Sequence, residues 1–324
     1  MNYVQAWLDS YPPDPRQRKR RLQALQRFKE SVRRDPIALL EKALQTTHGC
    51  EEVEDALGEY HKHLEREGCD ERSARQWVSV VKGFFTRNHA RLARVPRDIV
   101  SRRRYPPTSA LYQDDVSKMI QKRDNIRDQL VIALLAQTGQ RIGVLTAMKK
   151  GMIKEKGPKA FPYGLVEVHD RDLVNPKGRN VNRYRVRYRF VIGREAMQLV
   201  EKMPDYEGGW LFDITERQMG RIVNEAADDA GIQKRIRTGL VNRFMHTVHP
   251  NALRPYWKRQ MRQGGVKDSD MLEFLMGNRL PYDGASDMFP EEEVLNAYKT
   301  AERKLKLDFR PASRKKRIVR RRES

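Results

Sequence analysis

The N-terminal third of the chain repeats a helical spacing of apolar residues. Across residues 18–32, Leu22, Leu25 and Phe28 recur at i, i+3 and i+6 among charged neighbours, which predicts an amphipathic helix. Pro36 suits the first turn of a short helix running to Leu44. Helices are also expected over residues 53–64 and 73–88. The second carries Trp77, Val78, Val81, Phe84 and Phe85 on one stripe, which reads as core. Pro96, Arg102-Arg103-Arg104 and Pro106-Pro107 then interrupt the pattern, so an extended, basic linker is expected.

A second region begins near Ala110. Residues 114–122 and 127–137 read as helices, and a turn at Thr138-Gly139 leads into another helix starting near Arg141. The period then changes: residues 163–168 and 184–192 alternate as strands. Asn175-Pro176-Lys177-Gly178-Arg179-Asn180 supplies turn residues between them, so a β-hairpin or small sheet fits. Helical patterns resume from Glu195, apart from breaks such as Gly208-Gly209 and Pro281. The expected fold class is mainly α with a small β insert. Its parts are a helical domain over 1–92, a linker over 93–110, a larger domain over 111–307 and a basic tail over 308–324.

Charge adds a partner to this outline. The 324 residues hold 65 Lys and Arg against 43 Asp and Glu, a formal charge of +22. Such an excess points to a polyanion, with nucleic acid foremost. Residues 310–324 carry eight basic side chains and one acid, among them Lys315, Lys316 and Arg317, and have almost no apolar surface. That tail is expected to be disordered. Most of the charge lies elsewhere, which predicts a basic face on the folded body.

Several classes are excluded. The longest apolar run, Leu130 to Ala136, is seven residues, far short of the ~18–20 that span a bilayer, so no membrane partner is expected. No basic-then-apolar leader opens the sequence, and Cys50 and Cys69 are too few for a disulfide scaffold. A cytoplasmic, DNA-associated protein is the expectation. His61-x-His63 and His246-x-x-His249 lack a matching Cys, Asp or Glu set and read as structural or surface histidines, so neither metal nor cofactor is expected.

Two arginines stand in particular settings. Thr138-Gly139-Gln140-Arg141-Ile142 puts Arg141 at a helix start, where unpaired N–H groups would reinforce an anion site. Pro250-Asn251-Ala252-Leu253-Arg254 opens a later helix, followed by Leu275-Met276-Gly277-Asn278 and an acidic helix from Glu291 containing Tyr298. In these boxes and their order the chain resembles the tyrosine recombinases, in the manner of archaeal and viral integrases. The resemblance covers nearly the whole chain, with residues 73–88 similar to the last helix of the family's core-binding domain. It implies a helical core-binding domain and a recombinase-like catalytic domain clamping double-stranded DNA.

The resemblance also implies site residues. Arg141 and Arg254 would hold the non-bridging oxygens of a scissile phosphate. Lys177, at the hairpin turn, would protonate the departing 5′-oxygen, with Arg179 and Arg183 as nearby competitors. A tyrosine would attack phosphorus without metal or ATP. Arg102, Arg103 and Arg104 in the linker, Arg179 and Arg183 on the hairpin, and Lys315, Lys316 and Arg317 in the tail would contact DNA. The C-terminal helix, expected over 291–307, would dock on the same or a neighbouring subunit, the latter giving self-association on DNA.

Other positions depart from the family. Asn251 falls where the first His of the H-x-x-R box belongs, and His249 lies two residues too early. Asn278 replaces the His or Trp after the box glycine, and an amide is neither acid nor base near neutral pH. Both have bland readings: Asn251 as a helix cap, and Gly277 with Asn278 as a helix stop. The nucleophile is expected roughly nine to ten residues after the box glycine, where Ser286 stands. Tyr282 is the nearer substitute, and Tyr298, on an amphipathic helix, reads as packing. The expected function is therefore double-stranded DNA binding with cleavage lost. The alternative is an active site-specific recombinase with a displaced nucleophile such as Tyr282, or an inactivated mutant of one. A helix-turn-helix regulator would explain the charge and not the boxes.

Overall fold

Short polar caps set the helix starts of the N-terminal region. Asp14 accepts from the Arg16 and Gln17 amides, with Pro15 in the first turn, and Asp35 does the same ahead of Pro36. Thr46 and Asp70 cap the next two helices through the Gly49 and Ser73 amides, both at 3.0 Å. The computed structural model describes residues 2–92, 110–160, 162–169, 172–176, 178, 180–182, 184, 186–237, 244–281 and 289–311. They form two compact units.

The first unit holds α1 (Tyr3–Asp9), α2 (Pro15–Val32), α3 (Pro36–Gln45), α4 (Thr47–Arg66) and α5 (Glu71–Arg87). Its core is aromatic. Trp7 meets Phe84 edge-on at 5.4 Å, and Phe28 meets Tyr60 and Phe85 the same way. Two expectations are corrected here. Leu22 is 43% exposed, and α2 buries Ala24, Leu25 and Phe28 instead. Each three-residue step turns the helix by about 60° away from a common face, which leaves Leu22 about 120° from Phe28. Trp77 is half-buried, with the Arg20 and Arg27 guanidinium groups 5.7 and 5.5 Å from its ring centre.

The second unit is organised around α7 (Ile126–Thr138), which is apolar on all sides and buried along most of its length. Around it lie α6 (Gln113–Gln121), α8 (Ile142–Thr146), α9 (Arg194–Lys202), α10 (Glu216–Asp229), α11 (Leu253–Gln263), α12 (Ser269–Leu275) and α13 (Glu291–Leu305). Strands β1 (Ile153–Lys156), β2 (Tyr163–Val168) and β3 (Tyr188–Ile192) form an antiparallel sheet in that order, with Ile153 opposite Val166 and Val168 opposite Tyr188. The strand expected from residue 184 begins only at Tyr188. The buried Asn182 amide donates to the Val186 carbonyl at 2.8 Å, which satisfies that group outside any ladder. A second correction is the pair β4 (Arg235–Arg237) and β5 (Phe244–His246), which interrupts a stretch expected to be helical.

Helix α13 ends at Leu305, two residues before the expected limit, and buries Val294, Tyr298, Ala301 and Leu305 in its own unit. The chain then continues along α6 and α7. Gln113, Gln121 and Gln129 donate to the carbonyls of Lys306, Asp308 and Arg310, and the Asp308 amide donates to Ser117 Oγ. Leu307 is buried and Phe309 packs on the core. The carbonyls of Lys306, Asp308 and Arg310 are thus held by a ladder of glutamines, where the sequence alone suggested an unpacked tail from 308. Among the described residues, no helix is long and apolar enough to cross a membrane.

Candidate functional site

Three segments far apart in the chain meet at one point. The first is the turn after α7, where Gly139 adopts φ 63° and caps the helix through its N–H to the Leu135 carbonyl. A side chain there would be strained, and its Cβ would lie 2.7 Å from the Trp257 ring. Trp257 is in turn fastened by its indole N–H to the Gln137 carbonyl at 2.8 Å. The buried Gln140 amide donates to the Leu275 carbonyl at 2.6 Å and accepts from the Tyr188 hydroxyl at 3.2 Å. Arg141 therefore leaves a turn that is fixed on three sides.

The second segment is the C-terminus of α12. Gly277 at φ 64° ends the helix, its amide donating to Phe274 O and that of Asn278 to Glu273 O. This is the stop the sequence suggested. The glycine also lies on the face of Tyr188, where a Cβ would come within 2.7 Å of the ring. The third is the first turn of α11, which carries Arg254.

The two guanidinium groups converge on Asn278. Arg141 Nη2 donates to Asn278 Oδ1 at 2.7 Å and Arg254 Nη2 to the same oxygen at 3.3 Å. Arg141 also reaches the Gly277 carbonyl at 3.4 Å, and its guanidinium carbon is 5.1 Å from the Tyr184 ring centre. Arg254 donates to the Gly139 carbonyl at 2.6 Å and the Met276 carbonyl at 3.4 Å. The acceptors named here, Asn278 Oδ1 and the carbonyls of Gly277, Gly139 and Met276, are neutral oxygens. Burial, with the Arg141 charge beside it, pushes the Arg254 guanidinium down to about 10, so it stays charged at neutral pH. Two guanidinium groups thus share one amide oxygen, Asn278 Oδ1.

Behind Asn278 stands a carboxylate. Asn278 Nδ2 donates to Glu273 Oε2, and Lys258 Nζ donates to Glu273 Oε1. Burial would raise the Glu273 pKa, but the bonds from Lys258 and Asn278 outweigh it and leave the group below its ordinary value. The hydroxyl of Tyr188 is pushed far up by burial, against the pull of Arg141 and Arg254.

Other candidates fall differently. Asn251 is exposed in the 3-10 turn Pro250–Ala252 and does not cap α11, whose N-cap is Ala252 without a side-chain bond. His249 precedes that turn; burial and the nearby His246 lower its pKa. Arg141 is the N-cap of a five-residue helix, too short to contribute much dipole to the helix-end anion site that the sequence suggested. Tyr298 is buried edge-to-face against Tyr163 at 6.0 Å, in the packing role expected of it. His61 and His63 face Glu65 and Glu67 one turn on.

Lys177, Arg179, Arg183, Tyr282 and Ser286 lie outside the described residues, as do Arg102, Arg103, Arg104, Lys315, Lys316 and Arg317. Around Lys177, the Gly178 amide closes a turn on the Asn175 carbonyl at 2.8 Å, and Val174 pairs with Asn180. Sequence reasoning missed Gln140, Tyr188, Lys258 and Glu273. Only Lys258 had a local signal, lying four residues after Arg254 on the same helix face.

This architecture is the helical tyrosine-recombinase/integrase fold with its small three-stranded sheet. In particular, the chain is similar to a lambda integrase (75–356) dimer bound to a COC′ core site, at 15% identity, covering 94% of this chain and 97% of that one, with a TM-score of 0.52. It is also similar to XerH site-specific recombinase bound to a palindromic difH substrate in a post-cleavage complex. That match has 11% identity over 78% of this chain and 68% of the other, with a TM-score of 0.50. No protein-family model matches the sequence, and neither does any curated protein.

Proposed function

We propose that the chain is a double-stranded DNA-binding protein that keeps the recombinase fold and its phosphate-holding arginines but has lost strand cleavage. One observation carries this reading: Arg141 and Arg254, 113 positions apart in the sequence, converge on a single neutral oxygen, Asn278 Oδ1. A phosphodiester oxygen brought to that place would accept from both guanidinium forks. The charge of +22 supports a polyanionic partner, and the similar lambda integrase and XerH structures are DNA complexes.

Loss of cleavage follows from residue chemistry. Asn251 and Asn278 stand at the family positions for proton-handling side chains, and an amide transfers no proton near neutral pH. Ser286 stands at the nucleophile position, and its hydroxyl is a weak nucleophile without an activating base. Lys177 stands at the position of the hairpin lysine in this reading, with no leaving oxygen to protonate. Arg102, Arg103, Arg104, Arg179, Arg183, Lys315, Lys316 and Arg317 are the proposed DNA contacts. The domains are proposed as a DNA-clamping unit over 1–92, a linker over 93–110 and a recombinase-like unit over 111–307. Self-association on DNA would use the outer face of α13, because Val294, Tyr298, Ala301 and Leu305 are already buried within the unit.

Incubation with nicked duplex DNA, followed by denaturing electrophoresis, tests the reading. The expected result is salt-sensitive duplex binding without an SDS-resistant protein–DNA adduct. An abundant adduct overturns the loss of cleavage, and its disappearance in Tyr282→Phe would assign the displaced nucleophile.

A further inference from the structure

Asn278 faces a choice that its own side chain cannot make. The oxygen and nitrogen of an amide are nearly the same size, and either could point toward the arginines. Here the oxygen does so, at 2.7 Å from Arg141 Nη2 and 3.3 Å from Arg254 Nη2. The nitrogen is turned the other way and donates to Glu273 Oε2. A carboxylate accepts only, so Glu273 can bond the amide nitrogen and not the amide oxygen. The second oxygen of Glu273 accepts from Lys258 Nζ. Glu273 is thus held by one donor on each oxygen.

The cation matters because of where the carboxylate stands. It lies one side chain away from two guanidinium groups and would form stronger bonds with either than a neutral amide does. Swung toward them, it would neutralise the charges that an anion needs and occupy their donors. Lys258 is on α11, one turn beyond Arg254, and Glu273 is on α12, one turn before Gly277. The same two helices that bring Arg254 and Asn278 together therefore also bring the lysine to the glutamate.

We propose that Lys258 and Glu273 are positioning residues for the two-arginine site: Lys258 keeps the Glu273 carboxylate off the arginines, and Glu273 turns the Asn278 oxygen onto them. Asn278 then serves as a neutral placeholder that an anionic oxygen replaces. This rests on the phosphate-holding role of Arg141 and Arg254 proposed above.

The relation is testable by epistasis in the full-length protein, using random-sequence duplex DNA of about 30 base pairs as the probe. Lys258→Met, which frees the carboxylate, is expected to weaken binding about ten-fold, within the usual couplings of contacting residues. Adding Glu273→Gln to that chain removes the freed charge and restores affinity to within about two-fold, while Lys258→Arg binds like the parent. A direct Lys258–phosphate contact gives the opposite pattern: the double variant stays as weak as Lys258→Met, which overturns the proposal. Unchanged binding by Lys258→Met overturns it too. Melting of every variant is followed alongside, and if Lys258→Met does not fold, Lys258→Leu with and without Glu273→Gln takes its place. Failure of the underlying reading looks different, because Arg141→Ala and Arg254→Ala would then leave duplex binding unchanged whatever Lys258 does.

Discussion

Arg254 donates to the carbonyl of Gly139, 115 residues away in the chain, at 2.6 Å. The bond joins the first turn of α11 to the turn that ends α7. With further bonds to the Met276 carbonyl and Asn278 Oδ1, one side chain spans all three segments of the candidate site. A guanidinium can do this because its donors are fanned in a plane, whereas an ammonium offers three donors from a single atom.

Arg254→Lys should therefore fail on two counts despite keeping its charge. Leaving the Gly139 or Met276 carbonyl without its partner is expected to lower stability by about 1–3 kcal/mol. Losing the fork should weaken duplex binding about ten-fold, the size expected for a charge-assisted bidentate contact. Urea unfolding and a salt-series binding titration check the two effects separately. For the parent, engagement of ~8 phosphates would give a log–log salt slope of about −7.

Asn278→Asp separates charge from shape. A carboxylate at this position would pair with both arginines and repel Glu273. Duplex affinity at neutral pH is expected to fall at least ten-fold, because an internal anion replaces the external one. Binding as tight as the parent's would show that DNA phosphate does not use these two side chains.

Gly139→Ala should be far more damaging than Gly178→Ala. Both glycines have positive φ, at 63° and 71°. The new methyl at 139 meets the Trp257 ring at 2.7 Å, whereas among the described residues nothing lies within 4 Å of the one at 178. Strain alone costs about 1 kcal/mol at 178, and strain plus overpacking about 2–4 kcal/mol at 139. Chemical denaturation of the two variants measures the difference.

The pH dependence of folding should carry the mark of His249. Burial, then the nearby His246, lowers its pKa below the ordinary 6.5, so the unfolded chain binds the proton more readily. The associated stability is complete above pH 6.5 and is lost as the pH falls from there through the lower folded value. His249→Gln is expected to flatten that part of the stability profile, followed by melting temperature across buffered pH values.

Tyr298→Phe removes a buried hydroxyl that has no hydrogen-bond partner among the described residues. The ring packs on Tyr163 and is unaffected by the change. Stability should be unchanged or rise by about 1 kcal/mol. Calorimetry checks this, and a large loss would show that the hydroxyl has a structural partner.

Much of the helical frame was legible because its causes are local. Pro36 announces a helix start, and the apolar stripe of residues 73–88 announces a packed helix, while the caps Asp35 and Asp70 emerged with the structure. The stop at Gly277-Asn278 is equally local, since a backbone at φ 64° favours glycine wherever it occurs. Where local pattern misled, a distant group had taken over. Asn182 removes Val186 from the sheet, and three glutamines on α6 and α7 secure a segment that by composition alone had nothing to hold it.

The candidate site divides along the same line. Composition, spacing and the order of the boxes determined by themselves that the chain is basic, mainly helical and carries Arg141 and Arg254 at particular turns. Only the tertiary structure decided that both arginines share one oxygen of Asn278, and that Gln140, Tyr188, Glu273 and Lys258 surround them. The reason is physical: a helix cap or a glycine turn is satisfied within a few residues. A hydrogen bond between residues 115 positions apart, by contrast, exists only after the helices carrying them have packed.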